Sequence, residues 1–500
     1  MPHRPNILFI VCDQMIAELA GVYGHPIVQT PNLNRLAGAG VRFDNAYTPF
    51  PLCAPARACF MSGRHASHIG AWDNGAPLAP DQPTFAHYLA AAGYDTVLSG
   101  KMHFVGPDQL HGFRMRLTTD VYSSDFTWVK DEWIRLKETK GNDFDAVMAN
   151  RPRYNAVGYT GEAVKVDVWS NLLAYDEETH YRAIEYLRAR GRTDLDNPFL
   201  LCVSYHHPHD PYLPPQEFWD LYADTDIPIP EYPDDLEASR SQMDRNLNAY
   251  HGVHRYDLKD PDSLRRVHRA YYALTTYIDH KVGELMRTLD RSGLADNTVI
   301  VFCSDHGDML CSREMVQKRC FYEWSCRVPL LIRFPDRWKA GTACDTPVSL
   351  IDLLPTFCQL AETEPSMPVD GDSLIPVIEG SSDRTHIFAQ AHEAVGMPCL
   401  MMREGRYKYT YIHGFEDQLF DLESDPKEWD NLVHAPEHAS LAESMRTRIL
   451  DTFDPATMHE ENLTSLRRRK LIAGVMTDQN HTWCHFPEFD YRKGASDQYL

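Results

Sequence analysis

Close-spaced cysteines are missing from this 500-residue chain: its twelve cysteines are scattered, with no CxxC pair and no compact framework. That excludes a zinc knuckle, a dithiol redox motif and a disulfide-stapled small fold, and reads as reduced usage in which most thiols are small apolar core groups. Long apolar runs are missing too. None approaches the ~20 residues of a membrane helix. The short run in "MPHRPNILFIVCDQ" reaches Asp13 without a small-residue cleavage site, so we expect no secretory leader and a cytoplasmic chain. Positive charge is scarce, with 49 Lys and Arg against 71 Asp and Glu and a net charge of −22. Such a field repels polyanions, which excludes nucleic acid as a partner, and an anionic substrate must then be held by a local cluster of cations. Internal repeats and low-complexity tracts are also absent.

What is present is a recurrent strand pattern. "NILFIVCD" (Asn6 to Asp13) is a continuous apolar run ending in an acid, as a buried parallel strand would be. "FLLCVSYHHPHDP" from Phe199 and "TVIVFCSDHGD" from Thr298 repeat the design, so three strand ends bring Asp, His and Asp-His to one rim of a sheet. Ile278, Val282, Leu285 and Leu289 recur at helical spacing before the third run. Strands alternating with helices predict a doubly wound α/β sheet with ligands beyond the carboxyl ends of its strands. The polar section from about Asp210 to Asp262 reads as an insertion. Beyond Asp372, "CLMMREGRYKYTYI" and "QLFDLESDPKEWDNL" read as two strand-like runs about a turn at His413 to Asp417, in a small antiparallel sheet followed by a helix and an aromatic tail. We therefore expect a catalytic α/β domain over 1–372, a subdomain over 373–460 and an extended tail over 461–500.

Two motifs carry the chemistry. Cys53-Ala-Pro-Ala-Arg57, followed by "ACFMSG", resembles the sulfatase pattern C-x-P-x-R, and the run from Gly93 through Lys101 to His103 resembles that family's second signature. "TPNLNRLAGAGVRFDNAY" resembles the segment before the first signature, and the resemblance extends from Asn6 to about Leu432. It implies an alkaline phosphatase-like fold with a mixed sheet flanked by helices. It also implies that Cys53 is oxidised by a formylglycine-generating enzyme to formylglycine, the hydrate of which attacks sulfur. The encoded residue is then a precursor, and without the motif Cys53 would read as a buried small hydrophobe.

The same resemblance places the other residues. Asp13, Gln14, Cys53, Asp305 and His306 stand where sulfatases hold their metal, although the family often has Asp-Asn where this chain has Asp305-His306 and Asp-Asp where it has Asp13-Gln14. Oxygen donors suit Ca²⁺, while the imidazole leaves Mn²⁺ or another divalent metal open. Arg57 would support the metal and nucleophile, Lys101 would bind a sulfate oxygen, His209 with Lys318 would protonate the leaving oxygen, and His103 would act as base. His206 and His207 read as structural.

Within the family, Ser99 to Trp128, "HPHDPY", "CSDHGDML" and Asp73-Asn74 resemble the branch acting on choline sulfate. By that resemblance Asn74 contacts the sulfate, and Trp128 and Glu393 hold a quaternary ammonium. The branch's W-D-H-x-P tail is replaced by Trp483-Cys484-His485-Phe486-Pro487, which lacks the acid, so an aryl or alkyl sulfate stands beside choline sulfate as substrate. Tails of relatives exchange between subunits, so a homodimer or homotetramer is expected. Two alternatives remain at this stage: a phosphonate monoester or phosphodiester hydrolase with the same site, and a non-catalytic protein that binds sulfated ligands.

Overall fold

Residues 4–122, 124–126, 129–138, 147, 155–193 and 197–476 are described by the computed structural model. Fourteen strands form among them: β1 (Asn6–Asp13), β2 (Val41–Phe43), β3 (Ala46–Tyr47), β4 (Asp95–Gly100), β5 (Met115–Arg116), β6 (Phe199–Pro208), β7 (Thr298–Ser304), β8 (Leu330–Arg333), β9 (Thr342–Cys344), β10 (Val348–Ser349), β11 (His386–Ala391), β12 (Cys399–Glu404), β13 (Tyr407–Ile412) and β14 (Gln418–Asp421). The main sheet has the order β5-β4-β6-β1-β7-β8-β2-β9. β1 runs parallel to β6 on one side and β7 on the other, and β8 runs antiparallel to both β7 and β2. The sheet is mixed and doubly wound, as expected.

Alternation along β1 shows why its run is apolar throughout. Leu8, Ile10 and Cys12 enter the core on one face, packed with Val267, Ile278, Val282 and Leu285 of the helix Pro261–Arg291. Ile7, Phe9 and Val11 enter the core on the other, where Phe9 meets Phe60, Phe85 and Phe357 edge-on. A strand covered on both faces has no solvent side to make polar. Because β6, β1 and β7 are parallel neighbours in register, their C-terminal ends lie side by side, and all three candidate strand ends reach one rim.

Two expectations about the C-terminal region change. "CLMMREGRYKYTYI" is a hairpin of two strands, β12 and β13, reversed at Gly405 with φ +53, a conformation that favours glycine. With β11 and β14 it makes a four-stranded antiparallel sheet, in which Leu400, Met402 and Tyr409 pack on Ala442, Met445 and Ile449 of the helix Ala439–Thr452. The boundary expected at 461 falls inside the helix Pro455–Met476, so residues 461–476 are helical and belong to no extended tail. Trp483 to Pro487 lie outside the described residues. The section from Asp210 to Asp262 contains the helix Gln242–His251, whose Leu247 and Tyr250 share a core with Met401 and Ile412 of the small sheet.

Among the described residues no helix is long and apolar enough to cross a membrane. The helix Pro261–Arg291 also carries a buried titrating group. His268 is 2% exposed, its Nε2 lies 3.0 Å from the Leu310 carbonyl, and burial pushes it down to about 4. The unfolded chain binds this proton more readily, so the contribution is intact above about 6.5 and is lost as pH falls toward 4. His268→Gln should reduce the loss of unfolding free energy between pH 7 and pH 5 by about 2 kcal/mol, read from urea midpoints. An unchanged difference would show that His268 does not contribute.

Candidate active site

Cys53 is the first residue of the helix Cys53–Ser62, after Leu52 in extended conformation. Pro55 falls within the first turn, where a missing N–H costs no intrahelical bond, and the helix N-terminus is a favourable place for an anion. Asp13, Cys53, Asp305 and His306 bring one ligand atom each within 4.8 Å of one another, all buried. The Cys53 Sγ is 3.2 Å from His306 Nε2 and 3.7 Å from Asp13 Oδ1. The Nδ1 of His306 is 2.9 Å from the Gly307 carbonyl. That carbonyl requires the proton on Nδ1 and leaves the Nε2 lone pair facing the carboxylates, the form in which imidazole binds a metal. Two carboxylates, one imidazole and the group at 53 fit a divalent cation.

Gln14, expected among the metal ligands, has partners of its own in the fold. Its Oε1 accepts from Lys318 Nζ, while its Nε2 donates to Asp308 at 2.7 Å and Asp210 at 3.1 Å. The side-chain carbonyl offered to a metal by sequence is taken by the lysine.

Cations surround this group. Arg57 Nε donates to Asp305 Oδ2 at 2.8 Å, and its Nη1 donates to Ser204 Oγ at 2.8 Å and to the Lys101 carbonyl at 2.5 Å. Lys101 Nζ binds Asp13 Oδ2 and lies 4.4 Å above the Tyr122 ring. Lys318 Nζ is 2.8 Å from His209 Nε2, and His209 Nδ1 is 2.6 Å from the Asp210 carbonyl. Burial opposes the charge on Asp13, yet Lys101, His209, His306 and Arg57 hold its carboxyl well below the usual range. Burial also opposes the charge of Arg57, and Asp305 and Asp13 more than compensate. Burial, with Asp13, pushes the Cys53 thiol up to about 11. His103 is pushed down to about 3 by burial and the Lys101 charge, so it is neutral and able to accept a proton.

Backbone strain gathers here. Gln14, His103, Gln317 and Arg319 have φ of 70°, 58°, 63° and 82°, conformations that non-glycine residues keep only where surrounding contacts impose them. Two glycines are forced by close approach: a Cβ on Gly100 would meet the Ser204 carbonyl at 2.0 Å, and one on Gly307 the Trp324 carbonyl at 1.9 Å. Without a side chain at either, Lys101 and His306 sit against the ends of β6 and the Glu323–Cys326 helix.

Sequence reasoning missed the carboxylates that hold these loops. Asp120 accepts from the Met102 and His103 amides at 3.0 and 2.8 Å and from Arg116 at 2.9 Å. Asp176 accepts from the His206 and His207 amides at 2.7 and 2.9 Å and is 2.6 Å from His207 Nδ1, which makes His207 structural. Asp308 accepts from Gln14, Tyr159 and Tyr212. Only Asp308, within "CSDHGD", had a local signal. His206 is buried, its ring centre 4.9 Å from that of His209.

Asn74 and Glu393 also converge on the nucleophile. Asn74 Oδ1 accepts from the Ala54 amide at 3.0 Å, and the Asn74 amide donates to Glu393 Oε2 at 3.0 Å. Glu393 Oε1 receives Arg319 Nη2 at 3.0 Å, and Glu393 is 3% exposed. The carboxylate expected to face a ligand cation is thus paired inside the protein. Trp128 lies outside the described residues.

The charged groups gather at the strand ends of a mixed α/β sheet, where open α/β folds bind their ligands. The Sulfatase family model matches residues 5–363, and the model described as N-sulphoglucosamine sulphohydrolase, C-terminal, matches residues 312–454. The choline-sulfatase of Rhizobium meliloti (strain 1021) is 39% identical, with 99% of this chain and 96% of that protein covered. The arylsulfatase of Clostridium perfringens (strain 13 / Type A) is 29% identical over 89% of this chain and 93% of its own. The crystal structure of phosphonate monoester hydrolase of Agrobacterium radiobacter shares the fold, with a TM-score of 0.72 and 23% identity over 91% of this chain and 96% of that one. The chain belongs to the sulfatase family. It is an enzyme, a sulfuric ester hydrolase.

Proposed function

We propose that the enzyme hydrolyses aryl or alkyl sulfate monoesters, choline sulfate among them, to an alcohol and inorganic sulfate after oxidation of Cys53 to formylglycine. The observation that carries this reading is the position of Cys53 at a helix start, between the Asp13, Asp305 and His306 group and the Lys101 and Lys318 ammonium groups, the latter paired with His209. Hydrated formylglycine supplies one hydroxyl that attacks sulfur and a second that restores the aldehyde as sulfate departs. Asp13, Asp305, His306 and residue 53 would hold a divalent metal, Ca²⁺ or Mn²⁺, which would supply Lewis-acid activation of a hydroxyl.

The chain's own groups do the rest. Lys101 holds a sulfate oxygen. Lys318, poised 2.8 Å from His209, delivers a proton to the leaving oxygen as its S–O bond breaks. His103 takes the proton of the spare hydroxyl. Arg57 pairs with Asp13 and Asp305 and holds them in place. Maturation by a formylglycine-generating enzyme, a cytoplasmic location and assembly as a homodimer or homotetramer belong to the same proposal and rest on the sequence reading.

Pairing of Glu393 with Arg319 favours esters whose alcohol carries no charge. We expect kcat/KM on an aryl sulfate to equal or exceed that on choline sulfate, and both to exceed that on a phosphonate monoester. Equal or better turnover of the phosphonate would overturn the sulfate reading in favour of phosphonate hydrolysis.

A further inference from the structure

Resting on that reading, we infer that Arg469, on the C-terminal helix Pro455–Met476, is a positioning residue for the sulfate site and acts through Asp73 on Asn74. Arg469 sits in the run "RRRK", which as sequence is a solvated basic face. In the fold it is buried. Its Nη1 and Nη2 donate to Asp73 Oδ1 and Oδ2, both at 2.7 Å, with the two side chains 2% and 3% exposed. Its Nε is anchored on Ser465, 3.2 Å from the hydroxyl.

Asp73 shapes the turn that presents Asn74. Its Oδ1 also accepts from the Gly75 amide at 2.8 Å and its carbonyl from the Ala76 amide at 3.0 Å. Asn74 stands between these bonds, its own amide on Glu393 and its Oδ1 on the Ala54 amide, one residue from Cys53. The Asn74 Nδ2 has no partner among the described residues, so a hydrogen-bond donor is left beside the nucleophile. Asp73 cannot itself reach a ligand from this side: the cavity it lines with Trp133, Lys137, Glu393 and Asn462 is about 10 Å³, room for one water at most. Its influence passes through Asn74.

Removing the guanidinium would leave a buried carboxylate without its cation. Such a group seeks new donors, and the amides of its own turn, of which Gly75 already donates to it, adjoin it. The turn then shifts, and the Asn74 donor leaves the place where a sulfate oxygen meets it. A donor that binds sulfate equally in the ground and transition states affects KM and leaves kcat nearly unchanged.

The test uses the full-length protein with an aryl sulfate as substrate and inorganic sulfate as inhibitor. Arg469→Met should raise KM and the inhibition constant of sulfate together, by about ten- to a hundredfold, with kcat within about threefold and the formylglycine content of position 53 unchanged. Arg469→Lys, which keeps one charge without the fork, should show the same pattern at a smaller factor, and it carries the test should the methionine variant fail to fold. Arg467→Ala with Lys470→Ala removes the exposed pairs to Glu138 and Asp131 that also dock this helix, and should leave KM unchanged. Unaltered KM and sulfate inhibition in both Arg469 variants would overturn the inference, as would an equal rise in the Arg467 and Lys470 variant. Absence of sulfatase turnover in the unmutated protein would instead overturn the functional reading itself.

Discussion

Cys53→Ala should abolish turnover, lowering kcat by roughly 10⁴-fold or more, because no other group at the site can form and release the bond to sulfur. On the proposed mechanism Arg57 and Lys101 bind charge, while Lys318, His103 and His209 move protons. Cutting the small buried side chain at position 53, 1% exposed, back to a methyl group should cost about 1 kcal/mol of stability, so the variant remains folded. Thermal unfolding should be close to that of the parent, while steady-state turnover of an aryl sulfate falls to background. Activity above a tenth of the parent value would refute the assignment of residue 53 as nucleophile.

Lys318→Ala should have the next largest effect, about 10²- to 10⁴-fold on kcat. The geometry gives that effect a signature. Lys318 Nζ contacts the Gln14 carbonyl and His209 Nε2, and the Asp210 carbonyl at His209 Nδ1 fixes the imidazole with its Nε2 lone pair toward the lysine. On the proposed mechanism the proton for the leaving oxygen comes from the ammonium. Esters of acidic phenols need that proton least, and esters of simple alcohols need it most. The loss in kcat should be at least tenfold larger for an alkyl sulfate than for the sulfate of an acidic phenol. An equal loss on both would assign Lys318 to sulfate binding alone.

The strand ends could be read in advance because burial on both faces leaves its mark in each strand: Asn6 to Asp13 and Thr298 to Ser304 are apolar throughout, so the first polar residues after the run stand out. Cys53, Arg57, Lys101 and His103 were legible for a different reason, since each lies within a short motif with fixed spacing. Asp120, Asp176 and Arg319 were not legible. Each works on backbone amides or side chains brought near only by folding, as Arg319 does on Glu393, far along the chain.

Gln14 has a partner that its place in the sequence did not show. A carbonyl beside Asp13 suits a metal, but the lysine that claims it is distant in sequence and near only in the fold. The C-terminal helix was cut short at 461 because its apolar residues do not gather on one face, and its basic run hid one arginine that is buried. The hairpin at Gly405 was read as one strand because both halves are rich in strand-forming residues and the reversal occupies only Gly405 and Arg406.

The central claim is chemical: the residue that reacts at position 53 is not the one encoded. Peptide mass spectrometry of the active enzyme, produced with a formylglycine-generating enzyme, tests it on the tryptic fragment from Phe43 to Arg57, in which Cys53 is the sole cysteine. The account predicts that this fragment carries an aldehyde at position 53, with the mass of formylglycine and reactivity toward a hydrazide, in proportion to specific activity. A fragment holding unmodified cysteine throughout, in protein that hydrolyses sulfate esters at full rate, would contradict it.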